Sequence, residues 1–125
     1  MTVIPSIIKI METKKAIGSR GSWFAAVGSE SLPCVHKYWW EKGRYKGRYN
    51  DKDLRRDNPK ADNFVATISS AKRVILTTGN PKFDLDGIVV GFERTGYIAV
   101  WNVDDIEFDQ SGLRFIFVEK VCDLK

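Results

Sequence analysis

Apolar residues recur at helical spacing in one stretch of the chain, just after residue 58. Residues three and four apart lie on one face of a helix, so this pattern predicts an amphipathic helix. Asn58 suits the N-cap, and Pro59 suits the first helical position. We therefore predict one main helix, at about residues 59–71. The apolar positions that define its buried face are Ala61, Phe64, Val65, Ile68 and Ala71.

Short β-branched and aromatic runs, separated by glycine, proline and polar turn residues, predict strands elsewhere. The predicted strands cover residues 7–11, 21–28, 34–40, 73–78, 88–93, 97–103 and 113–122. Residues 79–81, Gly-Asn-Pro, are expected to end the fourth of these strands. Turns at residues 95–96 and 110–112 would join the last three strands in an antiparallel meander.

These elements predict an α+β fold that is mostly antiparallel β, a small curved sheet or barrel with the helix packed against it. With 125 residues, the chain is expected to form a single domain. It is too short for a TIM barrel or a pair of dinucleotide-binding halves. No apolar stretch approaches the roughly 20 residues that span a bilayer, so we expect no membrane partner. The N-terminal residues lack the pattern of a signal peptide, and two cysteines, Cys34 and Cys122, are too few for a disulfide framework. A cytoplasmic location is expected.

Charge is unevenly distributed along the chain. The net charge is +4, but residues 1–60 carry 13 basic and 6 acidic side chains, and residues 61–125 carry 7 and 10. Residues 37–60 alone hold 9 basic side chains against 4 acidic ones. This segment is therefore the candidate surface for binding an anionic partner.

A tandem repeat of four residues lies inside that segment, Lys-Gly-Arg-Tyr at 42–45 and again at 46–49. As a single strand, it would place the four cations on one face and the glycines and tyrosines on the other. Alternatively, Lys42 and Gly43 form a two-residue turn that folds residues 44–49 back on residues 38–40 as a hairpin. Both arrangements keep the basic side chains in water.

Cations interleaved with aromatic rings are typical of nucleic-acid binding, because cations neutralise phosphates and aromatic faces stack on bases. The candidate phosphate-binding residues are Lys37, Lys42, Arg44, Lys46, Arg48, Arg55 and Arg56. The candidate aromatic residues for a pocket or for stacking are Trp23, Trp39, Trp40, Tyr45, Tyr49 and Trp101. A second interpretation is a hairpin whose aromatics belong to the core and whose cations serve solubility and edge protection.

The candidates for catalysis are sparse. His36 is the sole histidine, and strand alternation would put it on the same face as Cys34. Neither a nucleophile signature nor a fourth zinc ligand accompanies this pair and Cys122. Acidic side chains also cluster near two strand ends, where a solvated face is favoured over a cation site. These clusters are Asp84 with Asp86, and Asp105 with Glu107 and Asp109. We predict no catalytic residue, no metal and no cofactor.

Residues 87–92, Gly-Ile-Val-Val-Gly-Phe, a turn, and residues 96–103, Gly-Tyr-Ile-Ala-Val-Trp-Asn-Val, resemble the core hairpin of PUA-like domains of the EVE and ASCH branches. The resemblance implies a small β-barrel with flanking helices that binds nucleic acid, often with a modified or flipped base in an aromatic-lined pocket. By this resemblance, Trp23, Trp39, Trp40 or Trp101 would line the pocket.

The leading hypothesis is thus a nonenzymatic module that contacts nucleic acid through residues 37–56. An alternative is a protein-interaction or homodimerising module that uses exposed aromatics and sheet edges. A third is a small-molecule pocket in the mouth of a barrel. Salt separates the first two, because phosphate binding weakens steeply with salt and an aromatic interface does not.

Overall fold

The computed structural model of the chain describes residues 13–18, 23–43, 46–54 and 59–124. It contains nine strands, one 3-10 helix and one α-helix in those ranges. The strands are β1 (Thr13–Lys14), β2 (Ala16–Ile17), β3 (Phe24–Val27), β4 (Glu30–His36), β5 (Trp40–Glu41), β6 (Arg48–Asp51), β7 (Arg73–Phe83), β8 (Val89–Asp109) and β9 (Gly112–Leu124). The 3-10 helix is Lys37–Trp39 and the α-helix, α1, is Pro59–Ala71.

All nine strands form one curved sheet that does not close into a barrel. Its order is β2-β3-β4-β7-β8-β9-β6-β5, and β1 pairs with β9 in addition. Neighbours are antiparallel, except that β4 is parallel to β7 and β1 is parallel to β9. β1 pairs with β9, and β2, which follows it in the chain, pairs with β3. The short segment 13–17 therefore contacts two separate parts of the sheet. The predicted α+β class, mostly antiparallel with one main helix, is confirmed.

The predicted helix is also confirmed, with α1 at the predicted bounds. It buries Ala61, Phe64 and Ile68, which are at most 5% exposed. Phe64 and Ile68 belong to the main core cluster, with Val35, Tyr49, Val74, Phe115 and Phe117. Local spacing predicts this element well because the apolar stripe needs only one partner, the sheet. Asn58, the predicted N-cap, lies outside the described residues.

A long meander of β7, β8 and β9 forms the centre of the sheet. Residues 99–109 of β8 pair with β9, and its residues 89–102 pair with β7. Residues 89–97 of β8 therefore have β7 as their sole strand partner within the described ranges. Residues 77–83 and 89–97 extend past the body of the sheet as a two-stranded ribbon, which we call the ribbon.

The predicted turn at residues 95–96 is wrong, and so is the predicted end of β7 at residues 79–81. β8 runs through without a break, and β7 continues to Phe83. The pairing of β7 with β8 shifts in register after residues 76, 78 and 82 of β7. At the first two shifts, Ile98 and Thr95 of β8 have no direct partner, so the turn-forming residues remain within continuous strands. Pro81 pairs opposite Phe92 in the ribbon, where an open edge tolerates a missing N–H. The turn at residues 110–112 is confirmed, and Gly112 there has a positive φ of 101°. The hairpin on which the PUA-like resemblance depended is one strand here, and the resemblance stays a prediction.

The strand predicted at residues 34–40 is wrong in its second half. β4 begins earlier, at Glu30, and ends at His36, and the 3-10 helix follows. The rings of Tyr38 and Trp39 both contact Phe92, at centroid distances of 5.8 and 6.2 Å. Adjacent residues of a strand point to opposite faces, so a strand could not make both contacts. The predicted strand at residues 7–11 lies outside the described residues, and β3 forms within the strand predicted at 21–28.

The repeat forms the hairpin, and the single-strand alternative is wrong. Trp40 pairs with Tyr49 and Glu41 with Arg48, so the connection spans residues 42–47 and is longer than the predicted two-residue turn. The Trp40 Nε1–H donates to the carbonyl of Lys46 at 3.3 Å. Gly47 has a φ of 126°, and a side chain there would collide with the Trp40 ring. Glycine is therefore required at this position of the repeat.

Candidate functional site

A cleft of about 1180 Å³ lies between the ribbon and the body of the protein. Its walls come from the end of β4, the end of β6 with the following turn, one side chain of α1, and the ribbon. Both polar and aromatic side chains face the cleft. They include Trp23, His36, Asp51, Phe64, Phe92 and Arg94.

His36 joins the body to the ribbon at one side of the cleft. Its ring stacks on Phe92, with centroids 3.9 Å apart and planes 13° from parallel. Its Nδ1 lies 2.9 Å from the hydroxyl of Thr77, which itself donates to the carbonyl of Val35 at 3.1 Å. A hydroxyl has one proton, so we assign Nδ1 as the donor and Nε2 as the acceptor of a neutral ring. Burial, with a smaller contribution from the positive charge of Arg94, lowers the pKa of His36 to about 4.

Asp51 and Asp53 form a second connection. One carboxylate oxygen of Asp51 accepts the backbone N–H groups of Asp53 and Leu54, at 3.0 and 3.1 Å. Burial, opposed by these two backbone hydrogen bonds and assisted by the charge of Asp53, raises the pKa of Asp51 to about 6. Asp53 accepts the N–H of Val89 in the ribbon at 2.8 Å. The loop after β6 therefore fixes the ribbon over the cleft.

Cys34 and His36 lie on the same wall of the cleft, as strand alternation predicts. Burial raises the pKa of the Cys34 thiol to about 11, although the charge and hydrogen bond of Arg94 oppose this increase. The thiol is therefore protonated at neutral pH, and the thiolate is the nucleophilic form. The Arg94 guanidinium itself lies over the Tyr97 ring, 5.0 Å from its centroid.

An exposed group of lysines and aromatic rings lies beside the cleft, and we call it the cationic face. Its members are Lys37, Tyr38, Trp40, Lys42 and Lys46, and all are exposed. In the part of the chain that the structure describes, none of the three lysines forms an ion pair. Tyr38 is 51% exposed and Trp40 39%. The edge contact of Tyr38 with Phe92 connects this face to the cleft.

The other predicted binding residues fall in different surroundings. Trp23 lines the cleft and contacts Phe64 edge to face at 5.1 Å. Tyr49 is fully buried against Phe115, and the half-buried Trp101 packs on Phe117. Trp39 is half-buried beside Tyr38 and Phe92. Arg48 is held by Glu41, with nitrogen to oxygen distances of 3.1 and 2.5 Å. Arg44, Tyr45, Arg55 and Arg56 lie outside the described residues.

Sequence reasoning did not single out the ribbon's contribution, Phe92 and Arg94. These residues lie just before the mispredicted turn at residues 95–96, and their partners on the body are far away in sequence. One signal was present, since glycine inside a strand marks a close approach of backbones. At Gly79, a Cβ would lie 2.6 Å from the carbonyl oxygen of Glu93.

The acidic clusters are engaged within the fold. Arg114 binds both Glu107 and Asp109, at 3.3 and 2.7 Å. Asp84 accepts the N–H groups of Asp86 and Ile88 in the turn of the ribbon. Among residues 13–18, 23–43, 46–54 and 59–124, no three His, Cys, Asp or Glu side chains form a group that could hold a metal ion.

Comparison with known proteins gives no relative from which to transfer a function. No family model matches the chain, and no curated protein or solved structure matches it. Within its described residues, the protein has no helix with the length and apolar character needed to cross a bilayer.

Proposed function

We propose that this protein is a nonenzymatic nucleic-acid-binding module that holds unpaired bases. The observation that carries the proposal is the cationic face beside the cleft, where exposed Tyr38 and Trp40 lie among three lysines that form no ion pair with any residue the structure describes. Single-stranded nucleic acid is bound by this combination of cations along the backbone and aromatic rings under the bases.

The lysines of the cationic face supply the electrostatic part of binding. Each cation that neutralises a phosphate of a single strand contributes about 0.7 to the dependence of log affinity on log salt. Lys37, Lys42 and Lys46 together therefore account for a slope of about 2. Arg48, which the sequence places in the same set, contributes less because it already pairs with Glu41.

The cleft supplies the part that interacts with a base. Its volume of about 1180 Å³ is ample for one nucleotide. Neutral His36 and the carboxyl groups of Asp51 and Asp53 offer hydrogen-bonding groups for the edge of a base, and Trp23 and Phe92 offer ring faces. An extruded base is read by such hydrogen bonds and by stacking.

The state of the cleft's reactive groups supports a binding role over catalysis. The raised pKa of Cys34 keeps its thiol protonated, and Nδ1 of His36 is occupied by Thr77. A cysteine nucleophile needs a lowered pKa or an adjacent free base. The two cysteines are also free and buried, which supports a reducing, cytoplasmic setting.

Fluorescence anisotropy of a labelled oligothymidylate across a salt series tests the proposal. The triple variant Lys37→Ala/Lys42→Ala/Lys46→Ala should lower the salt slope by about 2. The matched control, Lys72→Ala/Arg73→Ala/Lys120→Ala, removes three cations that already pair with Asp104, Glu30 and Asp123 and should leave the slope unchanged. Absence of binding at low salt, or equal losses in both triple variants, would overturn the proposal.

Tyr38 tests the stacking contribution separately from charge. Tyr38→Ala should weaken oligonucleotide binding by about 1–3 kcal/mol without changing the salt slope, whereas Tyr38→Phe should retain affinity. The same anisotropy titration measures both variants. Equal affinity of Tyr38→Ala and the wild type would remove Tyr38 from the site.

A further inference from the structure

The tip of the ribbon, residues 83–90, combines exposed apolar side chains with acidic ones. Leu85 is fully exposed at 106%, Val90 is 65% exposed and Phe83 54%. Asp84 and Asp86 flank Leu85, and both are exposed. A cluster of large apolar side chains in water is typical of a surface that another molecule covers.

The tip is held in a fixed shape. A carboxylate oxygen of Asp84 accepts the N–H groups of Asp86 and Ile88, at 2.9 and 3.0 Å. The backbone N–H of Asp84 donates to the carbonyl of Ile88 at 2.9 Å, and Gly87 turns the chain with a φ of 82°. Leu85 is thereby presented outward before any partner binds, which reduces the entropy lost on docking.

The ribbon joins the tip to Tyr38 of the cationic face. Tyr38 contacts Phe92, and Phe92 pairs with Pro81 across the ribbon. At about 3.3 Å per residue, Leu85 lies within about 13 Å of Pro81 along the strand direction. The two surfaces are complementary, since one is apolar and acidic and the other is aromatic and basic.

We propose that two copies of this chain form a two-fold dimer in which the tip of each copy docks on the cationic face of the other. Leu85 and Phe83 pack on Tyr38 and Trp40, and the acidic side chains of the tip approach Lys42 and Lys46. In this arrangement a single two-fold axis makes both contacts at once and closes the assembly. A phosphate backbone is a poorer occupant for the tip, because Asp84 and Asp86 repel it.

This dimer covers the surface assigned above to nucleic acid. The dimer itself is independent of the proposed function. The expectation that an oligonucleotide and a second copy exclude each other rests on the proposed function. An oligonucleotide that binds the cationic face should therefore dissociate the dimer.

Sedimentation-velocity ultracentrifugation of the full chain over a broad concentration series tests the dimer. The wild type should approach a dimer and go no further, and Leu85→Ser should weaken association at least about tenfold. The control Val118→Ser, at an exposed apolar position on β9, should leave association unchanged. Leu85 has no buried contacts to lose, so unfolding curves should show that Leu85→Ser folds like the wild type.

Charge exchange tests which surfaces meet. Asp86→Lys and Lys42→Glu should each weaken association, and the combined variant should recover affinity. A wild type that stays monomeric at every concentration would overturn the inference, as would a combined variant weaker than either single change.

Oligonucleotide anisotropy of Leu85→Ser separates this inference from the proposed function. Retained oligothymidylate binding alongside lost association supports both. Intact association with no oligonucleotide binding at all would reject the proposed function and keep the dimer. Unchanged association with weakened oligothymidylate binding would assign the tip to nucleic acid and overturn the dimer.

Discussion

The two halves of β8 belong to one continuous strand but build different parts of the molecule. Residues 99–102 lie between β7 and β9 and residues 103–109 pair with β9, and Ala99, Val100 and Val103 are at most 3% exposed. Residues 89–97 have β7 alone within the described ranges, and Val90 there is exposed. A strand with partners on both sides contributes to the core. The half that extends past the sheet is free to form a cleft wall and a projecting tip.

Loss of a core ring should have the largest effect on stability. Phe117 of β9 is 1% exposed and contacts Tyr49, Trp101 and Phe115 in the core. Phe117→Ala should lower the free energy of unfolding by about 3–5 kcal/mol, measured by urea denaturation. Phe92→Ala in the ribbon should cost clearly less, because Phe92 is only half-buried. Equal losses would mean that the ribbon belongs to the cooperative core.

Acid should affect the two cleft groups in opposite directions. Asp51 has a pKa of about 6 in the folded protein and about 3.9 in the unfolded chain. Between these values the folded state holds the proton more tightly, so this group's contribution to stability falls as the pH rises. His36 has a folded pKa of about 4 and an unfolded pKa of about 6.5, so its contribution falls as the pH drops through this window.

Single variants should reveal these opposing contributions, each up to about 2–3 kcal/mol. As the pH falls from 6 to 4, Asp51→Asn should lose stability because the His36 contribution acts alone. His36→Gln should gain stability over the same range because Asp51 acts alone. The free energy of unfolding at a series of pH values measures both slopes. Slopes of the same sign in the two variants would contradict these assignments.

A matched pair of valines in β8 offers the finest comparison of its two halves. Val100 is 2% exposed and Val90 is 65% exposed. Val100→Ala should cost about 2 kcal/mol through lost burial, whereas Val90→Ala should change stability by less than about 0.5 kcal/mol. Chemical denaturation of both variants under one condition decides the point. A comparable loss at Val90 in the monomeric protein would contradict its exposed position in the ribbon.

Local signals explain why the body of the fold is more predictable than the cleft. The stripe from Ala61 to Ile68 specifies α1 within its own sequence, and alternation places Cys34 and His36 on one face. The ribbon depends on bulges at the ladder near Gly79 and Thr95, which make turn-forming residues part of continuous strands. Local propensity cannot show this, because pairing between β7 and β8 overrides it.

The cleft depends even more on contacts between distant residues. Phe92 stacks on a histidine 56 positions earlier, and Asp53 binds the backbone of Val89. Neither contact leaves a periodic trace in the sequence. The cationic composition of residues 37–60 does, and for that reason the exposed lysines could be proposed at the outset, whereas their proximity to the cleft could not.

Chemical-shift mapping of the ¹⁵N-labelled protein with a short oligothymidylate at low salt tests the central claim most directly. The binding site should produce shift changes in residues 36–46 and in residues 89–97, the part of β8 that belongs to the ribbon. Residues 99–109 and α1 should remain unperturbed. Changes centred on residues 99–109 or on α1, or no changes at all, would contradict the assignment of nucleic-acid binding to the cationic face and its cleft.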